Sequence, residues 1–187
     1  MPARYKDFHS FGTPSESLGR LTITTSISGG VRMFDSKKMF DLGFAFLNAG
    51  EANFQEGAIR HRSDYQNVAG VVNLAFACEL FLKCLLNMAG LETRGYKHEH
   101  KIEALWSKYK NTSGNDASQI ETSVMNQLVT DFTFEEMLHN DSNVFYNYRY
   151  FYEPDHLSAI KNNPLRPQFL RILAKELYDS LYNRPMP

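Results

Sequence analysis

The sequence is short of most features that betray an enzyme. It has no glycine-rich phosphate loop, no nucleophile elbow, and no carboxylate pair at a spacing suited to acid–base chemistry. Only two cysteines occur, Cys78 and Cys84. Six residues apart on a helix, they stand about 9 Å apart along the axis and on different faces, which excludes a disulfide between them. Two such thiols suit a reducing cytoplasm. Neither sign of charge is in excess: Lys and Arg number 20, Asp and Glu 21, for a net charge of −1. That balance argues against a protein that coats nucleic acid along its length, while leaving a small local RNA site open. Repeats, low-complexity tracts and heptads are missing, and "MPARYKDFHSFGTP" at the start lacks the uncharged apolar core of a secretory signal.

Long uncharged apolar runs are missing too, and the nearest approach to one is informative. Val68–Leu86 is close to spanning length, but it contains Asn73, Glu79 and Lys83. Each of the two charges would cost a few kcal/mol (~3) at the centre of a bilayer. The expectation is therefore a buried helix of a cytoplasmic protein with no membrane partner. A chain of 187 residues is long enough for one domain with a sizeable core.

What the sequence does have is helical periodicity. Residues 1–35, rich in Gly, Ser and Thr, read as an irregular arm in which "LTITTSI" alternates like a short strand or hairpin. From 36 to 187 the pattern is that of an all-α antiparallel up-and-down bundle of four to six helices. The first helix has a Ser36 N-cap and an apolar face of Met39, Leu42, Phe46 and Leu47, with Gly43 and Gly50 marking close packing. A second, capped by Ser63 or Asp64 and stopped at Gly90, is about 40 Å long and apolar nearly all round, so it should be central. "KIEALWSKYK" places Ile102, Leu105, Trp106 and Tyr109 on one side of a third helix, and "NTSGND" breaks it. Residues 117–138 read as mostly helical, "HNDSN" as a loop, and "VFYNYRYFYE" as an aromatic-dense helix ended by Pro154. The last helix, about 167–182, gathers Phe169, Ile172, Leu173, Leu177 and Leu181 on one face.

"VNLAFACELFLKCLL", followed by "HKIEAL" and later by "FYNYRYFYE", resembles the HEPN superfamily of small prokaryotic helical proteins. The matching pattern spans roughly residues 36–182. It consists of a long apolar helix with an internal Glu and Lys (Glu79 and Lys83), a His opening a short helix (His100, with Leu105 behind it), and an Arg-Tyr on a late helix (Arg149 and Tyr150). The resemblance implies a helical bundle that often dimerises. Many members are metal-independent endoribonucleases of toxin–antitoxin or phage-defence systems, and others only bind RNA or a partner protein. No cofactor is implied. The expected partners are a second copy, through the faces of the second and fourth main helices, RNA, and a cognate antitoxin or nucleotidyltransferase.

Catalytic members of the superfamily carry an Arg and a His separated by four to six residues, and "RYFYEPDH" supplies Arg149 and His156. Cleavage through the 2′-OH needs a group that takes a proton near neutral pH, the role of His156. The phosphorane gains negative charge that a guanidinium can hold through two hydrogen bonds, the role of Arg149. Arg4 with His9 and Arg94 with His100 share the spacing; position on the late helix singles out Arg149. Three features depart from the family pattern. Tyr150 stands where a small polar residue is usual, and Pro154 puts His156 beyond the helix end. Asp155 adjoins His156 and would either raise its pKa or repel phosphate. Glu79 and Lys83, four apart with the acid first, either neutralise each other at a partly covered helix surface or free Glu79 to orient Arg149.

Other groupings read more plainly. His98 and His100 lack a third ligand for a metal, and His100 is better placed to pack or hydrogen-bond at the start of the third helix. The basic groups "RHR" and "YKHEHK" flank opposite ends of the long helix, so only a dimer could merge them. The aromatic residues of 145–152 surround their helix, and serve either base stacking or an interface.

Overall fold

A 25-residue helix that is apolar on nearly every side must be surrounded, and the other helices are arranged to do that. The computed structural model describes residues 35–53, 64–91, 101–142 and 167–185. Among them are six α-helices: α1 (Ser36–Asn53), α2 (Asp64–Met88), α3 (Ile102–Thr112), α4 (Gly114–Asn126), α5 (Phe134–Asp141) and α6 (Pro167–Tyr182). No strand occurs among the described residues, and the fold is an all-α bundle. All six helices fall within one compact unit, Met33–Pro187. The expected arm with its strand, and the expected aromatic helix of 144–153, lie outside the described residues.

Helix α2 packs on α1, α3 and α6; α4 bridges α3 and α6, and α5 rests on α3. From Val71 to Leu86 nearly every apolar side chain of α2 is buried. The window Val68–Met88 is long and apolar enough to cross a membrane, and 67% of it is buried within the bundle. Gly90, at φ 77°, ends α2 in the left-handed conformation that glycine adopts without strain. The remaining helices each show one wet and one buried face. Ile102, Leu105, Trp106 and Tyr109 are all buried on α3, as are Phe169, Ile172, Leu173, Leu177 and Leu181 on α6. Both stripes stand where the 3.6-residue period places them.

Helix α1 differs from its sequence reading at Leu42 and at its cap. Its buried residues are Ser36, Gly43, Leu47 and Gly50, while Leu42 is 48% exposed. Leu47 is buried and Met39 and Phe46 pack against the core, while the two glycines take the closest contacts with α2. A Cβ on Gly43 would stand 2.6 Å from a Phe81 ring carbon, and one on Gly50 would stand 2.8 Å from Leu74 Cγ and 3.3 Å from the Gly70 carbonyl. The cap also moves by one residue. Asp35 Oδ1 accepts from the Lys38 amide at 3.0 Å, and Ser36 is drawn inside the first turn. There its hydroxyl accepts from Asn87 Nδ2 at 2.5 Å, pinning the start of α1 to the end of α2. The Lys38 amide and ammonium hold the Asp35 carboxyl below its ordinary range.

Three boundaries are redrawn. The break at "NTSGND" narrows to Ser113, which closes α3 and opens α4. The helical stretch expected over 117–138 is two helices: α4 stops at Asn126, and Thr133 restarts the chain with a capping box, its hydroxyl bonded to the Glu136 amide and the Glu136 carboxylate to the Thr133 amide. "HNDSN" is helical as far as Asp141, because Asp141 and Ser142 are pulled into the bundle. The Ser142 hydroxyl accepts from the Glu103 amide at 3.1 Å, satisfying an open donor in the first turn of α3 from another element.

Glycine to alanine inside a helix usually gains about 1 kcal/mol of helix propensity. At Gly50 the gain should be overturned, because the new methyl meets a branched carbon and a backbone carbonyl. Gly50→Ala is expected to lower unfolding stability by about 1–3 kcal/mol in a urea titration. A neutral or stabilised variant would refute the close approach of α1 to α2.

Candidate functional site

Helix α2 carries its acid and base at the middle of its buried length. Glu79 is 2% exposed and Lys83 19%, and Lys83 Nζ donates to Glu79 Oε1 at 2.5 Å. The pairing of Glu79 with Lys83 lies within the described residues and is sunk deeper than a helix surface, whereas Arg149, the partner in the other reading, lies outside them. Lys83 is not the whole of the surroundings of Glu79, which has a further interaction. An isolated carboxylate at this depth would lose several kcal/mol of hydration (~3–5 in practice), so pairing is obligatory.

A second buried acid stands nearby. Asp141, at the end of α5, is buried and also interacting. Burial, and to a lesser degree the negative charge of Asp141, pushes the Cys78 thiol far up. Cys78 Sγ donates to the Leu170 carbonyl of α6 at 3.6 Å, and Cys84 Sγ to the Ser36 carbonyl of α1 at 3.4 Å. Both cysteines are free and buried, so they act as small hydrophobes that tie α2 to its neighbours. Sequence reading missed Asp141 because it was assigned to a loop; the detectable signal was the run of helix-compatible residues after the Thr133 capping box.

No family model, curated protein or solved structure matches this chain. Arg149, His156, Tyr150 and His100 lie outside the described residues, so of the six residues singled out by sequence only Glu79 and Lys83 are placed. Among the described residues no three His, Cys, Asp or Glu side chains converge as metal ligands.

A second feature was not anticipated. On the face formed by α1, the end of α4 and α6, a cleft of about 390 Å³ opens beside a bidentate ion pair. Arg171 Nε and Nη2 each donate to a Glu51 carboxylate oxygen at 2.6 Å. The sequence places these residues 120 positions apart, and no periodicity links them.

Two outcomes follow from the buried groups of α2. Lys83→Met leaves a charged carboxylate without its ammonium and is expected to cost about 3 kcal/mol in urea unfolding. The double variant Glu79→Gln/Lys83→Met should regain most of that loss. A pH signature comes from the Cys84 thiol, pushed up to about 11 by burial, together with the Tyr109 phenol of α3, raised chiefly from the same cause. The unfolded chain releases these protons at lower pH than the folded one, so stability should fall as pH rises above about 9. At pH 8 neither thiol should react with a disulfide reagent until the chain is unfolded, and fast labelling of the native protein would contradict this burial.

Proposed function

We propose that this chain is an RNA-directed protein of the HEPN type, acting as a metal-independent endoribonuclease in the cytoplasm as a homodimer. The observation that carries this reading is the sealed acid of α2. A carboxylate at 2% exposure is an expensive way to stabilise a bundle, since apolar residues of similar volume often serve as well. Its presence, in the helix where the resemblance expects an internal Glu and Lys, supports a directing role for Glu79 toward Arg149. His156 then takes the 2′-OH proton, and Arg149 stabilises the phosphorane, leaving a 2′,3′-cyclic phosphate end. A toxin–antitoxin or phage-defence setting, with an antitoxin or nucleotidyltransferase as partner, belongs to the same reading.

One observation favours a second reading, that of a non-catalytic interaction module. Leu42, Phe44 and Tyr182 are large, apolar and exposed, and Phe44 and Tyr182 flank the ring of Tyr178 at centroid distances of 5.0 and 5.6 Å. Exposed aromatic residues of this kind are enriched at protein interfaces.

The deciding assay is RNA cleavage in EDTA. Wild type is expected to cut, with Arg149→Ala and His156→Ala each slower by a factor of about 10² or more. Glu79→Gln should reduce cutting more than it reduces stability. Equal background cutting by wild type and variants would leave the interaction module as the function.

A further inference from the structure

The cleft on the α1–α6 face joins an apolar floor to two opposite charges that its own ion pair leaves over. Leu47 of α1 and Ile172 of α6, both buried, form the floor. Four charged side chains stand around it: Glu51, Arg171, Lys175 and Asp179. Glu51 and Arg171 hold each other through two bonds of 2.6 Å, which ties the α1 wall to the α6 wall. Lys175 and Asp179 are exposed, one turn apart on α6, and form no ion pair with each other or with a described neighbour. Tyr178 also lines the cleft, its ring stacked on Phe40 and Phe44 at interplanar angles of 14° and 20°. The volume of about 390 Å³ lies within the range of small-molecule sites.

The lining selects by charge as well as by shape. Its charges cancel, so a ligand with a net charge of either sign gains little from the cleft as a whole. A zwitterion gains at both poles, an ammonium on Asp179 and a carboxylate on Lys175, while its own net charge stays zero. Side chains one turn apart on a helix start from Cβ atoms about 5–6 Å apart, a separation suited to two groups carried by a single carbon. An α-amino acid has that form. The remaining substituent of its α-carbon is then free to lie on the floor, where an apolar side chain leaves water for Leu47 and Ile172. We propose that the α1–α6 cleft binds a free α-amino acid with a large apolar side chain, its ammonium on Asp179, its carboxylate on Lys175 and its side chain on the floor. The site goes beyond the ribonuclease reading and takes nothing from it.

The test titrates the full chain by NMR with L-leucine and L-phenylalanine, and with three truncated probes. Leucinamide lacks the carboxylate, N-acetyl-leucine lacks the ammonium, and glycine lacks the side chain. Saturable binding of leucine or phenylalanine tighter than about 1 mM is expected, with each truncated probe weaker by about tenfold or more. Lys175→Gln and Asp179→Asn are the variants, both at exposed positions and so compatible with folding. Each should weaken the full amino acid by about tenfold. Lys175→Gln should leave leucinamide binding as it was, because that probe has no carboxylate to lose a partner, and Asp179→Asn should do the same for N-acetyl-leucine. No saturation by either amino acid overturns the proposal. So does equal binding by wild type and both variants, or glycine binding as tightly as leucine.

Discussion

A helix that is apolar around most of its circumference cannot be left with an open side, and this requirement governs the arrangement around α2. Its side chains offer no polar face to water, so α1, α3 and α6 have to cover it. The cover is uneven in kind. On the α3 and α6 sides, large residues such as Trp106, Phe169 and Leu173 fill the space. On the α1 side the filling is done by α2 itself, with Phe81 and Leu74 pressing into positions that side chains on Gly43 and Gly50 would occupy. A core packed this way has no space for an added methyl group at either glycine without a neighbour moving.

Against that background the Glu79–Lys83 pair is costly. Neither charge stabilises the bundle as simply as an apolar residue of the same volume would, yet removing either one alone is worse than keeping both. The pair satisfies part of the carboxylate, and Glu79 has an interaction beyond it. Asp141 repeats the theme at the end of α5: a second acid in the dry part of the bundle, close enough to Cys78 for its charge to be felt by the thiol.

Local rules in the sequence accounted for a great deal of the fold, and failed wherever an interaction spanned elements. Helices α2, α3 and α6 were legible because apolar positions cluster at helical spacing, with Gly90 after the end of α2 and Pro167 at the start of α6. The Thr133–Glu136 capping box was equally local, and overlooking it merged α4 with α5. By contrast, Ser36 read as a cap until Asn87 claimed its hydroxyl from 51 residues away, and "HNDSN" read as a loop until Ser142 was needed to satisfy α3. On α1 only Leu42 was misjudged: Leu47 is buried, Met39 and Phe46 pack against the core, and Gly43 and Gly50 lie at the close contact with α2. Of the candidate site, the acid and base of α2 were visible as charges inside an apolar run. The Glu51–Arg171 wall had no signature, since two charged residues 120 positions apart look like any other solvated pair.

The two regions are not independent, because consecutive residues serve them. Gly50 presses on Leu74 in the core, and the next residue, Glu51, grips Arg171 at the cleft. Leu170 accepts the Cys78 thiol with its carbonyl, and the next residue is Arg171 itself. Each helix thus fixes one residue in the dry interior and displays its neighbour at the cleft wall. The ion pair needs no local loop to hold its geometry; it inherits that geometry from the seating of α1 and α6 on α2. A shift of α1 away from α2, of the kind a larger residue at position 50 would force, has to move Glu51 by a comparable amount and open the bidentate bond. Packing at the glycine contact and the shape of the cleft are therefore one constraint expressed at two depths.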